Sequence, residues 1–455
     1  MENIEKIVTD QRAYFSNEAT KPIDFRVQQL KKLKSLLKAH EQEMIEGIYL
    51  DFKKSEFDAY TNEIALLYSD IDEAIRKIKR WAKVRRVSTN MVNFPAKSYI
   101  IPEPLGVSLI IGAWNYPYQL SFAPMIPAIA AGCTVVLKPS ELPSNTSRIM
   151  AKIINENFDP KYIAVVEGGV SETTALLEQK FDKIFFTGSV PIGKIVYQAA
   201  AKHLTPVTLE LGGKSPAFIT EKVNMKMAVK RLVWAKFLNA GQTCIAPDYI
   251  LVHRSVKQQF LDALIAEINA NEFSFEAGTY TQIINDKNME RVAELIDPAK
   301  VYHGGKVNRE NRYIEPTVMT DVDFNDKVMQ EEIFGPILPV IEYDNLSEAI
   351  GWVKDRPRPL SCYVFTEDKA IKNRVLSEIS FGGGAVNDGI MHISNPNLPF
   401  GGVGDSGIGS YHSEAGFKAF THYKCILDKP TWIEFPLKYY PHTPFKFKWI
   451  KRLLS

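Results

Sequence analysis

The sequence predicts an α/β protein: a doubly wound parallel sheet followed by a second α/β unit, with a small arm. Three observations carry this expectation. Short, continuously apolar strands alternate with helices from residue 107 to 213; no charged side chain occurs from Pro104 to Leu137; and a second strand–helix rhythm begins near Lys214. Strands apolar on both faces belong to parallel sheets covered by helices. At 455 residues and 45% apolar, the chain can build two or three cores.

The opening reads as helical. Residues 25–52 place Val27, Leu30, Leu33 and Leu37 on one stripe with lysines opposite, and 61–84 form a second amphipathic run. Residues 85–106 alternate without a helical stripe, as an exposed hairpin or arm would. Strands follow at 107–113, 134–139, 162–169, 183–189 and 207–213, separated by helices at 118–132, 145–158, 172–179 and 191–203. In the second unit, helix 225–240 leads into 239-NAGQTCIAPD-248, and strands 249–253, 337–343 and 362–366 come after it. Glycine-rich turns at 381–388 and 400–409 lie near the end.

Composition excludes several classes. Fifty-five Lys and Arg against 53 Asp and Glu leave a net charge of +2, too little for a general nucleic-acid field. The cysteines at 133, 244, 362 and 425 are scattered without C-x-x-C spacing. That predicts no disulfide framework, no metal site and a reducing cytoplasm. The charged N-terminus lacks the apolar core of a signal peptide. The uncharged run is interrupted by Gly112, Asn115, Pro117, Gln119, Pro124 and Pro127, so it reads as buried core and not as a membrane span.

Six stretches carry chemistry. In 185-FFTGSVPIG-193 a strand ends at Gly188 and Ser189 and a helix opens, an arrangement suited to a pyrophosphate although it is not G-x-G-x-x-G. Lys138 and Glu141 follow a strand; such a carboxylate suits a ribose hydroxyl, while a surface ion pair is the plainer alternative. Glu210 stands between Leu209 and Leu211, where burial would raise its pKa and make it a usable base. Asn115, just past a strand, offers an amide to an oxyanion, or simply bonds its own backbone. Glu332 and Phe334 precede a Gly-Pro turn that alone reads as a helix-to-strand junction. Cys244 is, by itself, packing material, ligand or nucleophile.

Taken in order, WNYP at 114, KPSE at 138, FTGS at 186, LELGGKSP at 209, GQTC at 241, EEIFGP at 331 and LPFGGVGDSG at 398 resemble the aldehyde dehydrogenase superfamily, most nearly its class 3. The resemblance spans about residues 20 to 430. It implies a Rossmann-like cofactor domain (1–84 and 106–211), a catalytic domain (212–394), and an oligomerisation arm and tail (85–105 and 395–455). It implies Cys244 as nucleophile, Asn115 with the Cys244 N–H as oxyanion hole, and Glu210 as general base. Around the cofactor it implies Trp114, Lys138, Glu141, Gly188, Ser189, Gly193, Glu332, Phe334 and Phe400. NAD is the cofactor expected, with NADP left open, and the substrates are medium or long aliphatic and aromatic aldehydes. Tyr60, Trp114, Tyr116, Trp234 and Ile390 are candidates to shape an apolar tunnel. A homodimer is expected. The tail 431–455 has aromatics and lysines that suit a membrane surface, but Pro436, Pro441 and Pro444 break it, and packing across a dimer partner is favoured.

Two rivals remain at this level. A cysteine hydrolase would need a histidine beside Cys244, and none of the eight sits in such a motif. A catalytically silent binding role would leave Cys, Glu and Asn without a purpose.

Overall fold

The computed structural model describes residues 2–454; Met1 and Ser455, the outermost residues of the expected units, lie outside them. Two main sheets organise the chain. The first has six strands in the order Gly407–Ile408, Val207–Glu210, Lys183–Thr187, Val107–Ile111, Thr134–Lys138, Ile163–Val165. Five of them are mutually parallel, and only Gly407–Ile408 runs against its neighbour, pairing with Glu210 and Leu209. The chain starts in the middle at Val107–Ile111, winds outward one way, then returns to the other side at Lys183–Thr187. That reversal opens a crevice at the carboxyl ends of these two strands.

The second sheet has seven strands, ordered Val301–His303, Thr317–Met319, Ile337–Tyr343, Tyr249–His253, Pro216–Ile219, Ser361–Phe365, Gly383–Val386. All but the first pairing are parallel. A separate antiparallel ribbon joins Arg85–Val87, Lys97–Pro104 and Thr421–Asp428, with Thr421 opposite Pro104 and Asp428 opposite Lys97. The expected hairpin at 85–106 is therefore completed by a strand from the end of the chain. Within 395–455, by contrast, Gly407–Ile408 belongs to the six-stranded sheet, and helix Ser413–Ala419 packs on helix Pro117–Ala131.

Helix Pro117–Ala131 is buried on every face, which explains the long uncharged run. It lies between the sheet and helices Ile23–Ala39 and Ala65–Trp81. The expected helix at 25–52 is two helices, Ile23–Ala39 and Glu41–Phe52, hinged at His40. The N-terminal helix Glu2–Ser16 docks Ile4 and Val8 on the sheet, and Gln11 Nε2 donates to the Val135 and Pro160 carbonyls.

Candidate active site

In a parallel sheet every strand leaves at one edge, so Ile111, Lys138, Thr187 and Glu210 end side by side. Beyond them lies a cavity of about 1200 Å³. Trp114, Asn115, Lys138, Glu141, Gly188, Ser189, Glu210, Cys244, Glu332, Phe334 and Phe400 all line it. Gly193 does not. It sits inside helix Val190–Ala201, buried where any Cβ would press on the Leu211 side chain, a close helix-to-strand approach. Of the tunnel candidates, Trp114, Tyr116, Trp234 and Ile390 line the cavity, whereas Tyr60 is 40% exposed and lies outside its lining.

The loop bearing Cys244 is held under strain. After helix Met225–Phe237, Asn239 and Ala240 take left-handed conformations (φ 54° and 52°), each at a cost of roughly 1 kcal/mol for a residue with a Cβ. Gly241 follows at φ 70°, pressed against the Gly335 carbonyl where no Cβ fits. Amides hold this shape. Asn239 Nδ2 donates to the carbonyls of Asn115 (2.9 Å) and Gln242 (3.2 Å), and Gln242 bridges Asn239 O, Gln282 O and the Ile284 N–H. Asn115 Nδ2 donates to Gln242 O at 3.0 Å, which commits one of its two N–H bonds and leaves the other without a protein acceptor among the described residues. Tyr116 and Thr243 share a hydroxyl bond of 2.7 Å. None of these amide partnerships is visible in the chain's local pattern.

Across the cavity, the turn 331–335 is anchored by Asp248. This carboxylate accepts the Ile333 N–H at 3.0 Å and pairs with Lys214, whose ammonium also reaches the Val328 and Glu331 carbonyls. Phe334, at φ 48°, meets Trp114 edge to face with ring centroids 5.2 Å apart. Phe400 is stacked between His392 and His412 and bridges to Tyr411, a cavity residue that sequence reasoning missed.

Electrostatics follow from burial. Neither carboxylate oxygen of Glu210 has a hydrogen-bond partner in the protein, and desolvation pushes its pKa well above the usual range. Cys244 is half-buried and lines the cavity. Burial raises its pKa, Glu332 and Glu210 add to the rise, and the Cys244 and Ile245 N–H groups oppose it. Burial lifts Glu332 to about 8 with help from Asp248, against the Gly213 N–H, Lys214 and Arg291. Lys138 is 1% exposed, bonds the Pro139 carbonyl at 2.7 Å and lies 3.8 Å from Glu141; desolvation lowers its pKa while Glu141 and Glu172 resist. The pair thus joins a buried lysine to a half-exposed glutamate at the cavity rim.

A profile of the aldehyde dehydrogenase family matches residues 1–426. The chain belongs to the aldehyde dehydrogenase family. The 4,4'-diaponeurosporen-aldehyde dehydrogenase of Staphylococcus aureus is 47% identical over 99% of each chain. Aldehyde dehydrogenase family 3 member A2 of Mus musculus is 43% identical over 99% of this chain and 94% of its own, which places this dehydrogenase with class 3. A dimeric NADP-preferring aldehyde dehydrogenase of Canis lupus familiaris is 42% identical over 94% of this chain and 95% of its own. Among solved structures, the substrate-bound state of Staphylococcus aureus AldH superposes with a TM-score of 0.97, at 46% identity and 99% coverage of both chains. A Mycobacterium tuberculosis aldehyde dehydrogenase complexed with NAD+ gives 0.83 at 28% identity, over 94% of this chain and 90% of that one. This dehydrogenase oxidises aldehydes to carboxylic acids with NAD or NADP, through a cysteine thiohemiacetal and a thioester that a glutamate-activated water hydrolyses.

Proposed function

We propose that Cys244 is the nucleophile, that Asn115 and the Cys244 backbone N–H hold the oxyanion, and that Glu210 is the base for thioester hydrolysis. One observation carries this reading: these three residues line a single cavity that also contains the Lys138–Glu141 and Gly188–Ser189 turns. No histidine lines that cavity among the described residues, which disfavours a cysteine hydrolase.

The dinucleotide fits the residues present. Gly188 and Ser189 lead into a twelve-residue helix whose N-terminus suits a pyrophosphate, and Lys138, which ends a strand two places away in the sheet, and Glu141 just beyond it stand where ribose hydroxyls would be met. Glu332, Phe334, Trp114 and Phe400 line the same cavity and would hold the nicotinamide end. NAD(P), when bound, supplies the acceptor for the hydrogen and electron pair that the adduct carbon gives up.

The chain's own residues make the remaining steps. Cys244 gives up its thiol proton to solvent water, and the thiolate sulfur bonds the carbonyl carbon, moving the C=O electron pair onto oxygen. The Asn115 amide and the Cys244 N–H stabilise that alkoxide. Its collapse leaves a thioester on sulfur. Glu210 then takes a proton from water, the water oxygen bonds the acyl carbon, and the Cys244 thiolate departs as the acid is released.

The donor side is open to test. Asn115→Ala is expected to cut the rate of the first turnover by about a hundredfold or more while NAD affinity holds, as loss of one oxyanion donor usually does. A wild-type first turnover would remove Asn115 from the role. The raised thiol pKa also fixes a sign: in the absence of NAD(P), alkylation of Cys244 by iodoacetamide should be slower at neutral pH than for free cysteine. It should still be rising as pH passes the ordinary thiol range; an early plateau near neutrality would contradict this.

The substrate we propose is a long or aromatic, apolar aldehyde. Beyond Cys244 the cavity is walled by Phe57, Leu66, Leu120, Trp234, Leu238 and Ile390. The staphylococcal relative named for 4,4'-diaponeurosporen-aldehyde supports that reading. Comparing kcat/KM along an aliphatic series tests it; a preference for short aldehydes would overturn it. We further propose a homodimer, a cytoplasmic location, and the division into cofactor unit, catalytic unit and arm given above. The antiparallel ribbon with exposed Leu427 supports an arm available to a partner. Among the described residues no helix is long and apolar enough to cross a membrane.

A further inference from the structure

Helix Pro117–Ala131 begins two residues after Asn115, and its first turn is buried. The N–H groups of a first helical turn have no partners within the helix, so a buried start needs an acceptor from elsewhere. Glu63 provides one. Its Oε2 accepts the N–H of Tyr118 at 2.9 Å and lies 3.4 Å from that of Gln119, while its Oε1 accepts from Lys54 Nζ at 3.2 Å. Glu63 is 0% exposed and Lys54 is 1%. A carboxylate at a helix N-terminus also meets the positive end of the helix dipole.

The lysine looks the other way. Its ammonium lies over the rings of Tyr116 (4.7 Å) and Phe52 (5.0 Å). Tyr116 in turn bonds Thr243, the residue before Cys244. Two lines therefore run from this buried pair to the reaction centre. One passes through the helix start to Asn115, the other through Tyr116 and Thr243 to the sulfur.

Local structure delivers Glu63 to its place. Residues Tyr60–Ile64 form a π-helical turn between helices Glu56–Ala59 and Ala65–Trp81. Such turns insert one extra residue, rotating the face of the succeeding helix by about 100°, and they recur at functional sites. Here Thr61 and Asn62 face the cavity while Glu63 turns inward to the helix. A buried ion pair is poor value for stability alone, since apolar residues of like volume often serve as well.

We infer that Glu63, with Lys54 as its counter-ion, is a positioning residue that holds the Asn115 turn and the Thr243–Cys244 loop in register for carbonyl attack. The inference rests on the roles of Asn115 and Cys244 proposed above. Glu63 touches neither substrate nor cofactor; it acts through the helix it caps.

The test compares two charge-neutral double variants, Lys54→Met with Glu63→Gln and Lys54→Met with Glu63→Leu. Both remove the buried charges, and only the glutamine can still accept from the Tyr118 N–H. First-turnover NADH formation is measured with NAD and a medium-chain aliphatic aldehyde, alongside NAD affinity and thermal unfolding. The glutamine form should stay within about threefold of wild type, and the leucine form should lose about tenfold or more in first-turnover rate with NAD affinity unchanged. Glu63→Asp, which keeps the charge but withdraws it by one methylene, should also slow that turnover, and it decides the matter if the leucine form does not fold. Equal rates for the two double variants, a wild-type rate for Glu63→Asp, or a loss carried equally by NAD affinity would overturn the inference. Asn115→Ala is run beside them. Were it unaffected, the assignment of Asn115 would fall; were it slow while the Glu63 variants were normal, only the present inference would fall.

Discussion

Replacing Cys244 with serine is expected to abolish NADH formation in the burst and in the steady state alike, by roughly a thousandfold or more. The reason is chemical before it is geometric. Oxidation requires an adduct whose carbon can lose its hydrogen with both electrons, and then an acyl group that water can release. Sulfur attacks more readily than a neutral hydroxyl and leaves more readily from the acyl product. A serine in the same strained loop would keep the Asn115–Gln242 and Tyr116–Thr243 contacts, because neither uses the sulfur. NAD affinity should therefore survive, and titration of cofactor binding checks that. Retained turnover would show that another group captures the carbonyl.

Glu210→Gln should separate the two halves of the reaction. One equivalent of NADH per active site should still form quickly, whereas steady turnover should fall by about a hundredfold or more, since a general base commonly contributes that much. Both carboxylate oxygens of Glu210 lack protein partners, so they are free to take a water. The pH dependence has a definite sign. Glu210 works only when ionised, and burial raises its pKa well above 4.5. Turnover limited by deacylation should thus climb with pH across a range well above that of ordinary glutamates, and the glutamine variant should lose that dependence. Stopped-flow absorbance of the reduced nicotinamide reads both outcomes. A steady state equal to wild type would remove Glu210 from the role, and loss of the burst would move it to the first step.

The legibility of this site in the chain had a clear boundary. Lys138, Gly188, Ser189 and Glu210 fall at strand ends because short apolar strands announce themselves and parallel winding gathers their exits at one edge. Leu209 and Leu211 correctly pointed to a buried Glu210. Gly193 lies outside the cavity lining, and in sequence a glycine after a strand looks alike whether it meets a ligand or, as here, the side chain of Leu211. Tyr411 escaped notice because it reaches the cavity only when the 400–411 segment folds back, with Phe400 bridging to it. The Glu63–Lys54 pair escaped for a related reason: its acceptor role depends on a helix that starts 54 residues later in the chain.

Residue order alone therefore settled the α/β class and the strand exits, which depend on short-range hydrophobic pattern, and it supplied the thiol, amide and carboxylate proposed as nucleophile, oxyanion donor and base. Folding in three dimensions settled which strand closes the sheet edge beside Glu210, how the cysteine loop is braced, and which carboxylates are stripped of water. Those outcomes arise from contacts between segments far apart in the chain, where desolvation and hydrogen-bond pairing depend on every neighbour at once.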